Sequence, residues 1–471
     1  MKMRNLILPV SAVLLAAAAI LPSCARQPQP TFEETRIRSL GQIPDDLSWA
    51  NPTPNCDGTR FAATINEGDE WYLWVDGKKS PAFQAVGYPV FSPDGKRLAY
   101  SFSRGSRWVK DEGFLSLPDK HLVGGWHVSC DGVESRAYEN VSVDLFFSPD
   151  SRHCYFTAGR GDKGVLVIDG KEDDRYDFSL PTATYSDDGK RFGFTASRND
   201  RELVVIDGKE CGEYDDVKRV VFSPDGRRTA WLAERDDRWF IVLDGKEGRD
   251  YDGGTFWSTG GITFSPDSKR VAYTAKEGRR AFLVCDGQET GQYDEAIWPE
   301  FSPDSRRVAF LAHAGGKKMV VCDGKEGPRS DFVGDFVFSP DSTHVAYVAD
   351  RNVVCDDFRM VPPGEVESST ISMGWVGSQE IFFSPDSKHL AFVVSTPRGD
   401  KKPDDKKRDY HVVIDGVRGP PHDYVCIPPA GPRADVLRFV VADKSEAWLV
   451  EVPWPRDRGW SYRFEAIGHE H

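Results

Sequence analysis

Short runs of apolar residues recur along most of the chain, each closed off by a tight polar turn. The clearest is Phe91-Ser92-Pro93-Asp94-Gly95-Lys96-Arg97-Leu98-Ala99-Tyr100, and the segments from Phe222 to Trp231 and from Phe264 to Tyr273 repeat it closely. Further copies begin at Phe147, Tyr185, Phe301, Phe338 and Phe383. Their serines are Ser92, Ser148, Ser186, Ser223, Ser265, Ser302, Ser339 and Ser384, spaced by 56, 38, 37, 42, 37, 37 and 45 residues. The unit is therefore about 37 residues long, with insertions. A worn copy at 55–61 precedes the series and a half-copy at 438–443 follows it.

Each unit carries four strand signals. An apolar strand ends at Phe-Ser, and Pro-Asp turns the chain because Pro presets φ and Asp suits the next position. A second strand follows, as in Arg270-Val271-Ala272-Tyr273. A third ends in Asp-Gly, as in Phe282-Leu283-Val284-Cys285-Asp286-Gly287, a strong hairpin signal between extended segments. The fourth runs back to a tyrosine: Tyr138, Tyr176, Tyr214, Tyr251 or Tyr293. Four antiparallel strands in a unit of this length make a propeller blade. The expected fold is an all-β β-propeller of four-stranded antiparallel blades, with nine to ten repeat units over residues 32–471. Residues 437–467 are expected to supply three strands of the last blade and residues 32–40 its fourth, so that both termini close the ring.

The Phe-Ser-Pro-Asp-Gly-Lys pattern resembles the WD-like repeat of TolB and of the dipeptidyl peptidase IV propellers, over almost everything from residue 46 onward. The resemblance implies the fold and leaves the activity open, because propellers host many functions. TolB places an α/β domain ahead of its propeller, whereas here only about 25 residues are expected between Cys24 and the first repeat. The peptidases add an α/β-hydrolase domain, and no Gly-x-Ser-x-Gly elbow occurs in this chain. Neither a true TolB nor a working prolyl peptidase is expected.

The N-terminus has a different character. Lys2 and Arg4 precede an apolar run over 6–20, closed by Leu21-Pro22-Ser23-Cys24. That run is short for a membrane span, which needs roughly 20 apolar residues. It resembles a bacterial lipoprotein signal, with residues 1–23 removed, Cys24 lipidated and residues 24–31 forming the anchor and a tether. Ala25 in place of Asp implies sorting to the outer membrane. The expected location is the bacterial cell envelope, with the membrane met only through the lipid.

Removing residues 1–23 takes away Lys2 and Arg4 and deepens the net charge from −14 to −16. So acidic a chain is a poor partner for nucleic acid, whose phosphates call for clustered Lys and Arg. Four of the nine cysteines (Cys130, Cys285, Cys322 and Cys355) share one slot, just before an Asp. Val75, Ile168, Ile206, Leu243 and Ile414 fill it elsewhere, so cysteine there reads as a small apolar side chain. Free, buried thiols are expected.

Chemistry is sparse. Asp94, Asp150, Asp225, Asp267, Asp304, Asp341 and Asp386 recur one per turn. Ca²⁺ needs 6–8 converging oxygens, so these aspartates read as turn residues bonding their own backbone. His121, His127 and Asp119 share an insertion at a spacing a metal site could use, but no cysteine pair accompanies them at zinc spacing. No catalytic residue, cofactor site or metal site is expected.

Alternating strand direction places the Ser-Pro-Asp and Asp-Gly turns on one face of the disc. The long insertions at 103–126, 253–261, 361–377 and 396–410 then fall on the other. Loops on rigid scaffolds carry function, so the elaborated face is the expected binding surface. Its candidates are Trp108, Trp126, Trp257, Trp298 and Trp375, with Arg398, Lys401 and Lys402 from a charged loop. The leading expectation is a non-catalytic envelope scaffold for a protein, peptide or glycan. The alternative is a polymer-acting hydrolase or lyase with its site in the central funnel, which a carboxylate cluster at the funnel would favour.

Overall fold

The computed structural model describes residues 34–42, 53–110, 120–141, 145–160, 163–176, 183–253, 261–350, 352–356, 358–360, 365–366, 381–397, 408–426, 436–443, 446–454 and 465–466. Every regular element among them is a strand. Ten blade-like sheets follow one another, at 53–79, 85–134, 140–173, 184–214, 216–251, 262–293, 295–326, 333–360, 365–418 and, last, 424–453 with 35–42. They are numbered here in that order. The fold is a β-propeller.

The sixth blade shows the plan. Ile262–Phe264, Val271–Glu277, Arg280–Cys285 and Gln288–Tyr293 lie side by side in chain order, every pair antiparallel. The second and third strands are almost wholly buried, whereas the fourth is exposed up to its last residue. That last residue, Tyr293, is buried and meets Phe310 of the next blade edge-on at 5.7 Å. The first strand is therefore innermost and the fourth outermost.

The last blade departs from the sequence reading. Its strands are Tyr424–Cys426, Val436–Asp443, Glu446–Pro453 and, at the outer edge, Thr35–Gln42. Glu465–Ala466 instead extends the eighth blade, against Phe358–Met360. No Ser-Pro-Asp turn follows Tyr424–Cys426, so the repeat motif does not flag that strand.

The core lies between blades. One apolar cluster joins the second blade to the third, and others join each later consecutive pair through to the ninth and tenth. Each motif residue has a job in this stacking. In the second blade, Ser92 Oγ donates to Asp94 Oδ1 at 2.6 Å and accepts from the Arg97 N–H at 3.0 Å, while the Lys96 N–H donates to the same carboxylate oxygen. These bonds, the serine's first, hold Asp94 below its ordinary pKa. Ser223–Asp225, Ser265–Asp267, Ser302–Asp304 and Ser384–Asp386 repeat the arrangement. The recurring aspartates are thus committed to their own turns.

At the Asp-Gly turns both residues are left-handed, with φ 51° at Asp286 and 81° at Gly287, the type I′ geometry that matches strand twist. The carboxylate reaches back to the second strand, where the Val271 N–H donates to Asp286 Oδ1 at 3.0 Å. Its other oxygen accepts from Arg270 Nε at 2.8 Å. The pairs Arg97–Asp131, Arg191–Asp207, Arg228–Asp244 and Arg307–Asp323 do the same. Both kinds of turn therefore sit on one rim.

The same arginines cross to the next blade. Arg270 Nη1 donates to the Arg306 carbonyl at 2.8 Å, and its guanidinium lies 5.0 Å from the ring of Phe301, the next motif phenylalanine. Arg60–Phe91, Arg97–Phe147, Arg191–Phe222, Arg228–Phe264 and Arg307–Phe338 repeat that stacking. In three units histidine replaces arginine and keeps both contacts. His153 pairs with Asp169 and stacks on Tyr185, His344 pairs with Asp356 and faces Phe383, and His389 pairs with Asp415 and stacks on Trp454.

Candidate functional site

The short-turn rim is a continuous ladder of these contacts and offers few uncommitted groups. The opposite rim is uneven. Several blades close there with two-residue turns, such as Asn199-Asp200 and Asp236-Asp237, both left-handed. The second blade instead inserts a hairpin, Arg107–Lys110 against Lys120–Val123, between its second and third strands. In the ninth blade, Leu390–Pro397 and Arg408–Ile414 pair up to Pro397↔Arg408. That is the end remote from the Asp415 turn, which holds the Leu390 N–H.

Of the sequence candidates, Trp108 lies on the inserted hairpin, in register with Leu122. Trp126 opens the third strand of the second blade opposite Ser103 and is half-buried. Cys24, Trp257, Trp375, Arg398, Lys401 and Lys402 fall outside the described residues, as does Asp119. His127 serves the fold: its Nδ1 meets the Ser135 carbonyl at 3.0 Å and its ring stacks on Phe102.

Trp298, a candidate for the elaborated face, lies on a strand and not on one of the long insertions. It sits within the innermost strand of the seventh blade, Glu295–Phe301, at a bulge between Ile297 and Glu300. Its φ is 52°, a left-handed backbone that a bulky residue adopts only under local constraint. Its ring is half-buried and packs against the cluster joining the seventh and eighth blades.

That bulge brings a group the sequence reading missed. Glu300 stands two residues before its motif serine. Side chains on the first strands alternate, so Pro299 and Phe301 point into the packed core while Glu300 faces the other way and stays in contact with solvent. Crowding by the surrounding protein still desolvates its carboxylate, and Asp335 on the first strand of the eighth blade adds repulsion. The two effects push Glu300 up to about 7. Asp335 also touches solvent, and the same crowding by surrounding protein raises its carboxyl as well. Two carboxylates on adjacent innermost strands, one poised near neutrality, can hold and release a proton. A signal was present in the sequence. Val90, Phe146, Thr184, Val221, Thr263, Val337 and Phe382 fill the Glu300 slot elsewhere, and Glu300 is its one charged occupant among the eight copies.

A second group has metal-ligand character. His344, Cys355 and Asp356 bring a nitrogen, a sulfur and a carboxylate oxygen within 4.8 Å of one another. These are the arginine, slot and aspartate positions of the eighth repeat, and His344 Nδ1 lies 2.6 Å from Asp356 Oδ2. The set occupies the staple that arginine makes elsewhere, so its geometry is accounted for by the repeat. An open cleft of about 880 Å³ between the fifth and sixth blades is lined by charged side chains such as Arg249, Glu277 and Glu289, of which Arg249 and Glu289 pair with each other.

No protein-family model matches the chain, and no curated protein does. Solved structures similar to it include a eukaryotic initiation factor, at 12% identity and TM-score 0.39, covering 85% of this chain and 90% of that one. Another is TolB from Acinetobacter baumannii, at 14% identity and TM-score 0.27, covering 59% and 77%. A third is the β-propeller domain of the trilobed protease from Pyrococcus furiosus, at 16% identity and TM-score 0.28, covering 59% and 97%. The propeller assignment rests on the chain's own ten sheets.

Proposed function

We propose that this chain is a lipid-anchored propeller of the bacterial envelope, held at the outer membrane through Cys24, whose elaborated rim binds a protein, peptide or glycan. One observation carries the reading. The short-turn rim is consumed by the arginine–aspartate ladder, whereas the strand pair Arg107–Lys110 and Lys120–Val123 and the Pro397–Arg408 end of the ninth blade lie at the opposite ends of the strands. A rigid disc with one committed rim and one varied rim suits recognition by loops. The test is binding of the full chain to purified envelope fractions. Trp257→Ala with Trp375→Ala, or replacement of 398–407 by a short Gly-Ser turn, should lower binding at least tenfold. Unchanged binding by both variants removes the rim from the proposal. Labelling of Cys24 by a clickable fatty acid in cells tests the anchor, and its absence in a Cys24→Ser control completes that test.

The second reading, an enzyme acting on a polymer at the funnel, is favoured by the Glu300–Asp335 pair alone. Turnover of an envelope glycan or peptide that disappears in Glu300→Gln, with binding retained, would replace the scaffold reading.

A further inference from the structure

Two positions of the repeat meet at the blade junctions: the residue ending a third strand, and the residue opening the second strand of the following blade. Leu243 and Val271 share one cluster, Cys285 and Val308 another, Cys322 and Val345 a third, and Cys355 and Leu390 a fourth. Between the second and third blades the same two positions are Cys130 and Cys154. Both side chains pack in that cluster, so each thiol lies in the other's electrostatic environment.

The junction arginine completes the arrangement. Arg97 Nη2 lies 3.3 Å from Cys130 Sγ, and its Nη1 donates to the Ser151 carbonyl across the junction at 3.0 Å. The neighbouring Cys154 thiol, with Arg97 assisting, holds the Cys130 thiol below its ordinary value, while the proximity of Cys130 and burial push Cys154 up. Arg270 and Arg307 approach Cys285 and Cys322 at 3.1 Å, yet burial raises those thiols to about 11 and about 12. A second thiol, not the arginine, is what sets Cys130 apart. Cys130 is also half-buried beside the exposed Asp131, whereas Cys154 is buried. One sulfur is reachable and nucleophilic, and the other waits behind it.

We propose that Cys130 and Cys154 are an oxidisable dithiol whose disulfide ties the second blade to the third. The oxidant is a small-molecule or protein disulfide. The Cys130 thiolate attacks one of its sulfurs, the oxidant's S–S bond breaks, and one thiolate leaves to take up a proton. Cys154 then loses its proton to solvent and attacks the Cys130 sulfur, expelling the second thiol. Two protein thiols are oxidised and one external disulfide is reduced to two thiols. An oxidising compartment would keep the bond closed, and the proposal does not depend on what the other rim binds.

The full chain, purified reduced in detergent, is incubated with oxidised glutathione, alkylated, cut with trypsin and analysed by mass. Arg136 and Arg152 separate the two cysteines into different peptides. The expected result is a reductant-sensitive Cys130–Cys154 cross-link that removes the thiols of both cysteines. The exposed Cys211 supplies the contrast, taking up glutathione without linking. Separate alkylation of both cysteines, or a lasting glutathione adduct on Cys130, overturns the proposal. Cys154→Ser should instead trap that adduct. Arg97→Gln should move the pH midpoint of the closure rate upward and slow closure by roughly threefold to tenfold at neutral pH. An unmoved midpoint removes Arg97 from the role.

Discussion

Glu34 meets His422 across 388 positions of chain, its two carboxylate oxygens 3.1 and 3.0 Å from the imidazole Nε2. The carboxylate stands immediately before Thr35–Gln42, the strand that covers the outer edge of Glu446–Pro453. A short polar contact thus positions the strand that keeps the last blade from presenting an open edge, the kind of edge that recruits other chains.

Glu34→Gln should therefore lower stability by up to about 1.5–3 kcal/mol, the range for a hydrogen bond to a charged group. Removing 34–42 should cost more and promote self-association. Denaturant melts and sedimentation velocity would check both, and a monomeric, equally stable deletion would show that this strand is dispensable.

The interblade arginines carry packing as well as charge. Arg228 bonds Asp244, donates to the Lys269 carbonyl at 2.8 Å and stacks 5.3 Å from Phe264. Arg228→Ala should destabilise by about 1–3 kcal/mol, and Arg228→Lys should recover little, because an ammonium lacks the planar fork. Thermal unfolding of the two variants should rank them close together.

His344 makes one seam pH-sensitive. Its hydrogen bond to Asp356 raises the imidazole pKa above the ordinary 6.5. A raised folded-state value means the pair's stabilisation is full below pH 6.5 and fades as pH climbs through the higher folded value. His344→Arg installs the side chain used at Arg307 and elsewhere. Its stability profile should be flat from pH 6 to 8 in that respect, where the parent chain loses stability.

Glu300 has the same sign for a different reason. Desolvation and Asp335 favour its protonated form, so its contribution holds below the ordinary 4.5 and is lost as pH rises toward about 7. Glu300→Gln should remove that loss, and the variant should gain on the parent between those limits. Equal profiles in urea melts at pH 4.5 and 7 would contradict the assigned environment.

Most of the architecture was legible because each blade writes its own turn chemistry: Ser92 and Asp94 lock one turn, Asp131 and Gly132 the next. Strand alternation was enough to place both turns on one rim. What escaped depends on neighbours that sequence spacing does not reveal. Cys130 and Cys154 share one cluster because consecutive blades stack in a fixed register, and Trp298 packs against the next junction from a register shift within its strand. Glu300 was readable only by lining up the copies and asking which slot holds a misfit. The perturbed carboxylates stand on innermost strands and not on the long connections.

The pairing of consecutive blades by separate apolar clusters gives the molecule the energetics of beads on a string. Each bead is secured mainly by the two beside it, so damage at one seam should stay local, and lesions several blades apart should sum without synergy. Amide exchange would then fall into discrete steps, with the poorest seam opening first and the rest of the disc still closed.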